Sequence, residues 1–103
     1  MEKSKSSFQT LLKESVQPVL VDFYATWCGP CKAMSPVLED LASSFKGKLK
    51  IVKIDVDKNP AASTAYKISG VPTLILFEKG QIKWRQSGAV PGHELKKIIT
   101  KFI

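Results

Sequence analysis

Apolar residues along this chain alternate between two spacings. From Val19 to Ala25 the run is β-branched and aromatic, and it is apolar on both faces except at Asp22. That pattern predicts a central strand covered on both sides. From Gly29 to Phe45, Met34, Val37, Leu38, Leu41 and Phe45 recur every three or four positions, which predicts a long amphipathic helix. Pro36 lies inside it, so a kink is expected about one turn beyond Cys31. Leu49 to Val56 reads as a second strand. Asn59-Pro60 then supplies an N-cap and a first-turn proline for a short helix through Tyr66. Thr73 to Phe77 predicts a third strand, Glu78-Lys79-Gly80-Gln81 a turn, and Ile82 to Ser87 its antiparallel partner.

The two ends read as helices. At the front, Ser6 with Gln9 three residues on is a capping-box pattern, and Phe8, Leu11 and Leu12 follow at helical spacing to about Ser15. At the back, Pro91 opens a helix with Leu95, Ile98, Ile99 and Phe102 on one face and Lys96, Lys97 and Lys101 on the other. Strands alternating with helices predict an α/β fold with a mixed sheet, parallel in its first three strands, and helices on both faces. The expected organisation is a single domain over residues 1–103, without repeats or linkers.

Charge changes this picture little. Sixteen basic residues against nine acidic ones give a net charge of +7, which favours encounter with acidic partners. The lysines are scattered, without a dense block or interleaved aromatics, so nucleic acid is not an expected partner. No stretch approaches the roughly 20 apolar residues of a membrane span. The polar start Met1 to Ser6 lacks the apolar run of a secretory signal, and the expected location is cytoplasmic.

The only two cysteines stand in Trp27-Cys28-Gly29-Pro30-Cys31-Lys32, where the central strand passes into the long helix. At a helix N-terminus the unpaired N–H groups and the macrodipole favour an anion, so a thiolate at Cys28 is stabilised over the thiol and is expected to be accessible. Cys31, one turn further on, is placed to reach the Cys28 sulfur, and the pair can close reversibly. A loop this small gains little from restricting the unfolded chain, which argues against a structural staple. Pro30 pre-sets helical φ and Gly29 removes bulk beside the nucleophile. A zinc site needs more ligands than these two thiols; the sole histidine, His93, falls in the last helix, where it reads as a solvated residue.

Read alone, Asp22 is either a satisfied structural carboxylate or a group whose pKa burial raises into the range useful for proton exchange. Lys53 interrupts an apolar strand and is equally readable as an edge lysine. Trp27 and Trp84 are readable as packing residues.

Three segments carry a resemblance to the thioredoxin family: Val21-Asp22-Phe23-Tyr24-Ala25, the Trp27 to Cys31 motif, and Val71-Pro72-Thr73. The resemblance extends over the chain from Phe8 onward. It implies a thioredoxin fold and protein-disulfide reduction through a reversible Cys28–Cys31 disulfide. Asp22 then exchanges protons with Cys31, Lys53 lies near that aspartate, and the Val71-Pro72 bond is cis with the Val71 backbone free to pair with an extended substrate. Trp27, Gly29, Pro30, Gly70, Val71, Pro72, Gly88 and Ala89 form the substrate-binding patch. The implied partners are disulfide-containing client proteins and a separate thioredoxin reductase-like electron donor, to a monomer that needs no cofactor beyond its own disulfide. Two departures stand out: Tyr24 occupies a position where many members carry tryptophan, and the polar front leaves the family's first strand shortened or absent. An alternative of a different class is a holdase or binding module using the same patch without turnover.

Overall fold

The computed structural model describes the backbone from Ser4 onward and the side chains from Phe8 onward. Helix α1 (Ser4–Glu14) leads into β1 (Val19–Tyr24), α2 (Gly29–Ser44), β2 (Lys50–Asp55), α3 (Pro60–Ala65), β3 (Thr73–Glu78), β4 (Gln81–Ser87) and α4 (Gly92–Thr100). The four strands form one sheet in the order β2-β1-β3-β4. Strand β1 pairs in parallel with β2, and antiparallel pairings join β1 to β3 and β3 to β4.

The antiparallel entry of β3 corrects the expectation of three parallel strands. Helix α3 has six residues, about 9 Å of rise at the α-helical pitch. A six-residue strand such as β2 covers about 20 Å. So short a helix does not carry the chain back along the sheet, and β3 starts at the edge where β2 ended.

Period-two alternation sorts the side chains of β1 and β3 onto two faces. On one, Leu20, Leu74 and Leu76 pack with Met34, Leu38 and Leu41 of α2 and Leu95 and Ile99 of α4. On the other, Val19, Val21, Phe23, Ile75 and Phe77 pack with Phe8 and Leu12 of α1 and Ala62 of α3. Trp84 lies against the first cluster, as a packing residue should. Tyr66 closes the second, its ring centroid 5.9 Å from Phe8, 6.0 Å from Phe23 and 5.4 Å from Phe77. With both faces of β1 covered, the position of Asp22 on the α2 face follows from strand geometry, two residues beyond Leu20.

Helix α1 begins at Ser4, ahead of the expected Ser6 cap. Gln9 and Tyr66 line one groove together with Leu12, Lys13 and Gly80. Ser4 to Ser6 are helical; residues 1–3 of the expected shortened first strand lie outside the described residues. Helix α2 is continuous through Pro36. In the β3–β4 turn, Lys79 and Gly80 both take positive φ, 54° and 84°, the requirement of a two-residue type I′ hairpin. Gly80 also meets Lys13 of α1 closely: a Cβ there would lie 2.9 Å from Lys13 Cγ.

Candidate active site

Strand β1 ends at Tyr24, and four residues later Cys28 is the N-cap of α2, with extended backbone at φ −90° and ψ 115°. An N-cap side chain normally offers an oxygen to the free amide of the helix's third residue. Here sulfur takes that place: the Cys31 N–H donates to Cys28 Sγ at 3.1 Å. Pro30 sits in the same first turn, where its missing N–H removes no helical bond. Cys28 and Cys31 are joined by a disulfide, with Cα atoms 5.3 Å apart. The amide bond and the helix dipole both favour negative charge on Cys28 once that disulfide is reduced.

The pair is less open than expected. Cys28 is 4% and Cys31 5% exposed, because Ala25, Tyr24, Val56 and Val71 pack around them. The Val71 carbonyl oxygen lies 3.7 Å from Cys28 Sγ, so the segment before Pro72 forms the wall of the site. The Val71-Pro72 bond is cis.

Around the sulfur the expected patch divides by depth. Gly29, Pro30, Gly70 and Ala89 are exposed or partly so, Val71 and Gly88 line the rim, and Pro72 is buried. Pro72 therefore supports the surface from below, and the Gly88 N–H donates to its carbonyl at 2.7 Å. Trp27 is 69% exposed, which excludes plain core packing, and its indole Nε1 donates to Asp57 Oδ2 at 2.9 Å. Trp27, Gly70 and Val71 line one groove of about 300 Å³, floored by Val56 and Ile68.

Asp57 escaped the sequence reading. Its one available signal was position: a carboxylate just past the C-terminal end of a parallel strand, the edge at which α/β sheets place their sites.

On the α2 face of β1, Asp22 is 1% exposed, and neither carboxylate oxygen has a hydrogen-bond partner among the described residues. Burial pushes its pKa from 3.8 up to about 6, against the opposing pull of Lys53. Lys53 stands beside Asp22 in the parallel ladder, yet its ammonium turns outward. Nζ lies 3.5 Å from Ser35 Oγ and 5.1 Å from the centre of the Tyr24 ring, at cation–π distance. Lys53, Tyr24, Ser35 and Cys31 share a second groove, of about 250 Å³, behind the disulfide. His93 lies on α4, apart from these groups.

Comparison with known proteins agrees with this geometry. The thioredoxin family model matches residues 1–101. Thioredoxin 1 of Chlorobaculum tepidum is 45% identical over 93 residues, covering 90% of this chain and 92% of the relative. Thioredoxin of Haemophilus influenzae is 43% identical over 98 residues, covering 95% and 92%. A chain from a structural study of the thiol resolving mechanism in yeast mitochondrial 1-Cys peroxiredoxin superposes with a TM-score of 0.87 at 33% identity, covering 97% of this chain and 92% of that one. With its one cysteine pair closed at the opening of α2, the chain belongs to the thioredoxin family and is a thiol-disulfide oxidoreductase.

Proposed function

We propose that this protein carries electrons from a separate reductase to disulfides in client proteins, acting as a monomer in the cytoplasm. The observation that carries the reading is the Cys28 sulfur at the α2 N-cap, accepting the Cys31 N–H at 3.1 Å. In the reduced form the Cys28 thiolate attacks one sulfur of the client disulfide. A mixed disulfide forms and the other client sulfur leaves as a thiolate. Cys31, having given up its proton, attacks Cys28 Sγ and expels the second client thiolate. Two electrons pass to the client, which takes up two protons, and the Cys28–Cys31 bond closes. Reopening it requires a dithiol or reductase of lower potential.

Asp22 is the proton acceptor for Cys31 in this scheme. Its support is a pKa raised to about 6 by burial, close enough to neutral pH for useful exchange. Lys53 opposes that rise and so sets how far it goes. Trp27, Gly29, Pro30, Gly70, Val71, Gly88 and Ala89 receive the client over buried Pro72, with the Val71 backbone pairing to an extended segment. A reducing compartment suits the scheme, since there the pair is returned to the dithiol.

The test is reduction of insulin in the presence of dithiothreitol by the wild type and by Cys28→Ser. Catalysis by the wild type and background rates for the variant support the proposal. Suppression of aggregation by both proteins with reduction by neither assigns the patch to binding alone.

A further inference from the structure

At the end of α3 the carbonyls of Ala62, Ser63 and Thr64 find donors. The cap residue Tyr66 donates to Ala62 and Thr64. Lys67 N–H donates to Thr64 O at 3.1 Å and Ile68 N–H to Ser63 O at 2.9 Å, with Lys67 at φ 53°. This is a Schellman ending, with lysine in the left-handed position that glycine usually fills. Two carbonyls of this corner then meet one side chain. The Arg85 guanidinium on β4 donates to Tyr66 O at 2.6 Å and to Lys67 O at 2.9 Å. A planar, permanently charged fork suits two adjacent carbonyls at the negative end of a helix.

Beyond the corner the chain enters the client-facing segment Ser69-Gly70-Val71. The far end of that segment is held from β3, with Ser87 of β4 bonded to the same side chain. Thr73 Oγ1 donates to Gly70 O at 2.7 Å and shares a hydrogen bond of 3.1 Å with Ser87 Oγ. Arg85 pairs with Ile75 and Ser87 with Thr73 in the ladder, so both side chains project from one face of β4. The segment between these two anchors forms no helix or strand, and it carries the carbonyl 3.7 Å from Cys28 Sγ.

We infer that Arg85 is a positioning residue for client docking, clamping the Tyr66–Lys67 corner so that Gly70 and Val71 present a fixed backbone edge beside Cys28. The inference rests on the docking role given above to Val71. Its consequence is selective: a protein disulfide must pair with that edge, whereas a small aromatic disulfide needs only the sulfur.

The experiment compares wild type, Arg85→Ala and Arg85→Lys in reducing insulin and in reducing dithiobis(nitrobenzoic acid), with thermal melting as a control. Arg85→Ala is expected to lower kcat/KM for insulin about tenfold, mainly through KM, as both hydrogen bonds that hold the corner are lost. Its rate with the small disulfide stays at the wild-type value. Arg85→Lys, with charge but no fork, falls between. Equal loss on both substrates, or no loss on either, overturns the clamp. Gly70→Gln separates this from failure of the docking reading, because a side chain there enters open space in the protein and obstructs only a partner. If Gly70→Gln lowers insulin reduction while Arg85→Ala does not, docking stands and the clamp falls. If Gly70→Gln is also without effect, both fall.

Discussion

The Cys31 amide and the Cys28 sulfur are donor and acceptor across 3.1 Å at the first turn of α2. One cysteine thus stabilises the charge on the other before it acts as its resolving partner. An N-cap position calls for an acceptor, and a thiolate is the acceptor that also performs chemistry.

Trapping separates the two sulfurs. Cys31→Ser is expected to accumulate mixed disulfides between Cys28 and clients, visible as higher-mass bands that collapse on reduction. Cys28→Ser is expected to form none. Equal accumulation by both variants would place the nucleophile at the wrong residue.

The buried carboxyl of Asp22 links stability to pH. Its folded pKa, about 6, lies above the ordinary 3.8, so the native state holds the proton more tightly than the unfolded chain. The stability tied to this group is full below the ordinary value and is lost as pH rises through about 6. Asp22→Asn should therefore be more stable than the wild type at pH 7, by roughly 2–3 kcal/mol, with the two converging near pH 4. Urea midpoints across this range check the sign. The same variant should slow resolution of the mixed disulfide, and an unchanged pH–rate profile would remove Asp22 from the mechanism.

Much of this arrangement was legible in the chain. The run Val19 to Ala25 announced a twice-covered strand because an apolar stretch broken by a single aspartate needs cover on both faces, and the cysteine pair announced its chemistry by sitting at a strand–helix junction. The direction of β3 follows from the shortness of α3, which the segment Asn59 to Tyr66 already carries: alternation of strands and helices suggests parallel pairing, but a helix of six residues is too brief to return the chain along the sheet. Asp57 and Ser35 were hidden for a different reason: each matters through a partner about 20 to 30 residues away, Trp27 in one case and Lys53 in the other. The near-closure of Cys28 comes from Val71, 43 positions away, and local sequence carries no trace of it.

Trp27 tests the exposed rim. Trp27→Phe removes the hydrogen bond to Asp57 and should raise the KM for insulin. Stability should change by no more than about 0.5 kcal/mol, since the contact lies at the surface. Asp57→Asn keeps an acceptor for the indole and should stay near the wild type in both measurements.

Gly80 tests the hairpin. At φ 84°, with a Cβ meeting Lys13 Cγ at 2.9 Å, Gly80→Ala combines left-handed strain with a close contact that the flexible lysine partly relieves. A loss of about 1–2 kcal/mol is expected in urea unfolding, with insulin reduction per folded molecule unchanged.

The central claim is that reduced Cys28 is ionised near neutral pH, and the alkylation rate of the reduced protein by iodoacetamide as a function of pH tests it most directly. With the modified residue identified by mass, the account predicts reaction at Cys28 with a midpoint clearly below the ordinary cysteine value of about 8.5. Reaction with a midpoint at or above that value would contradict it.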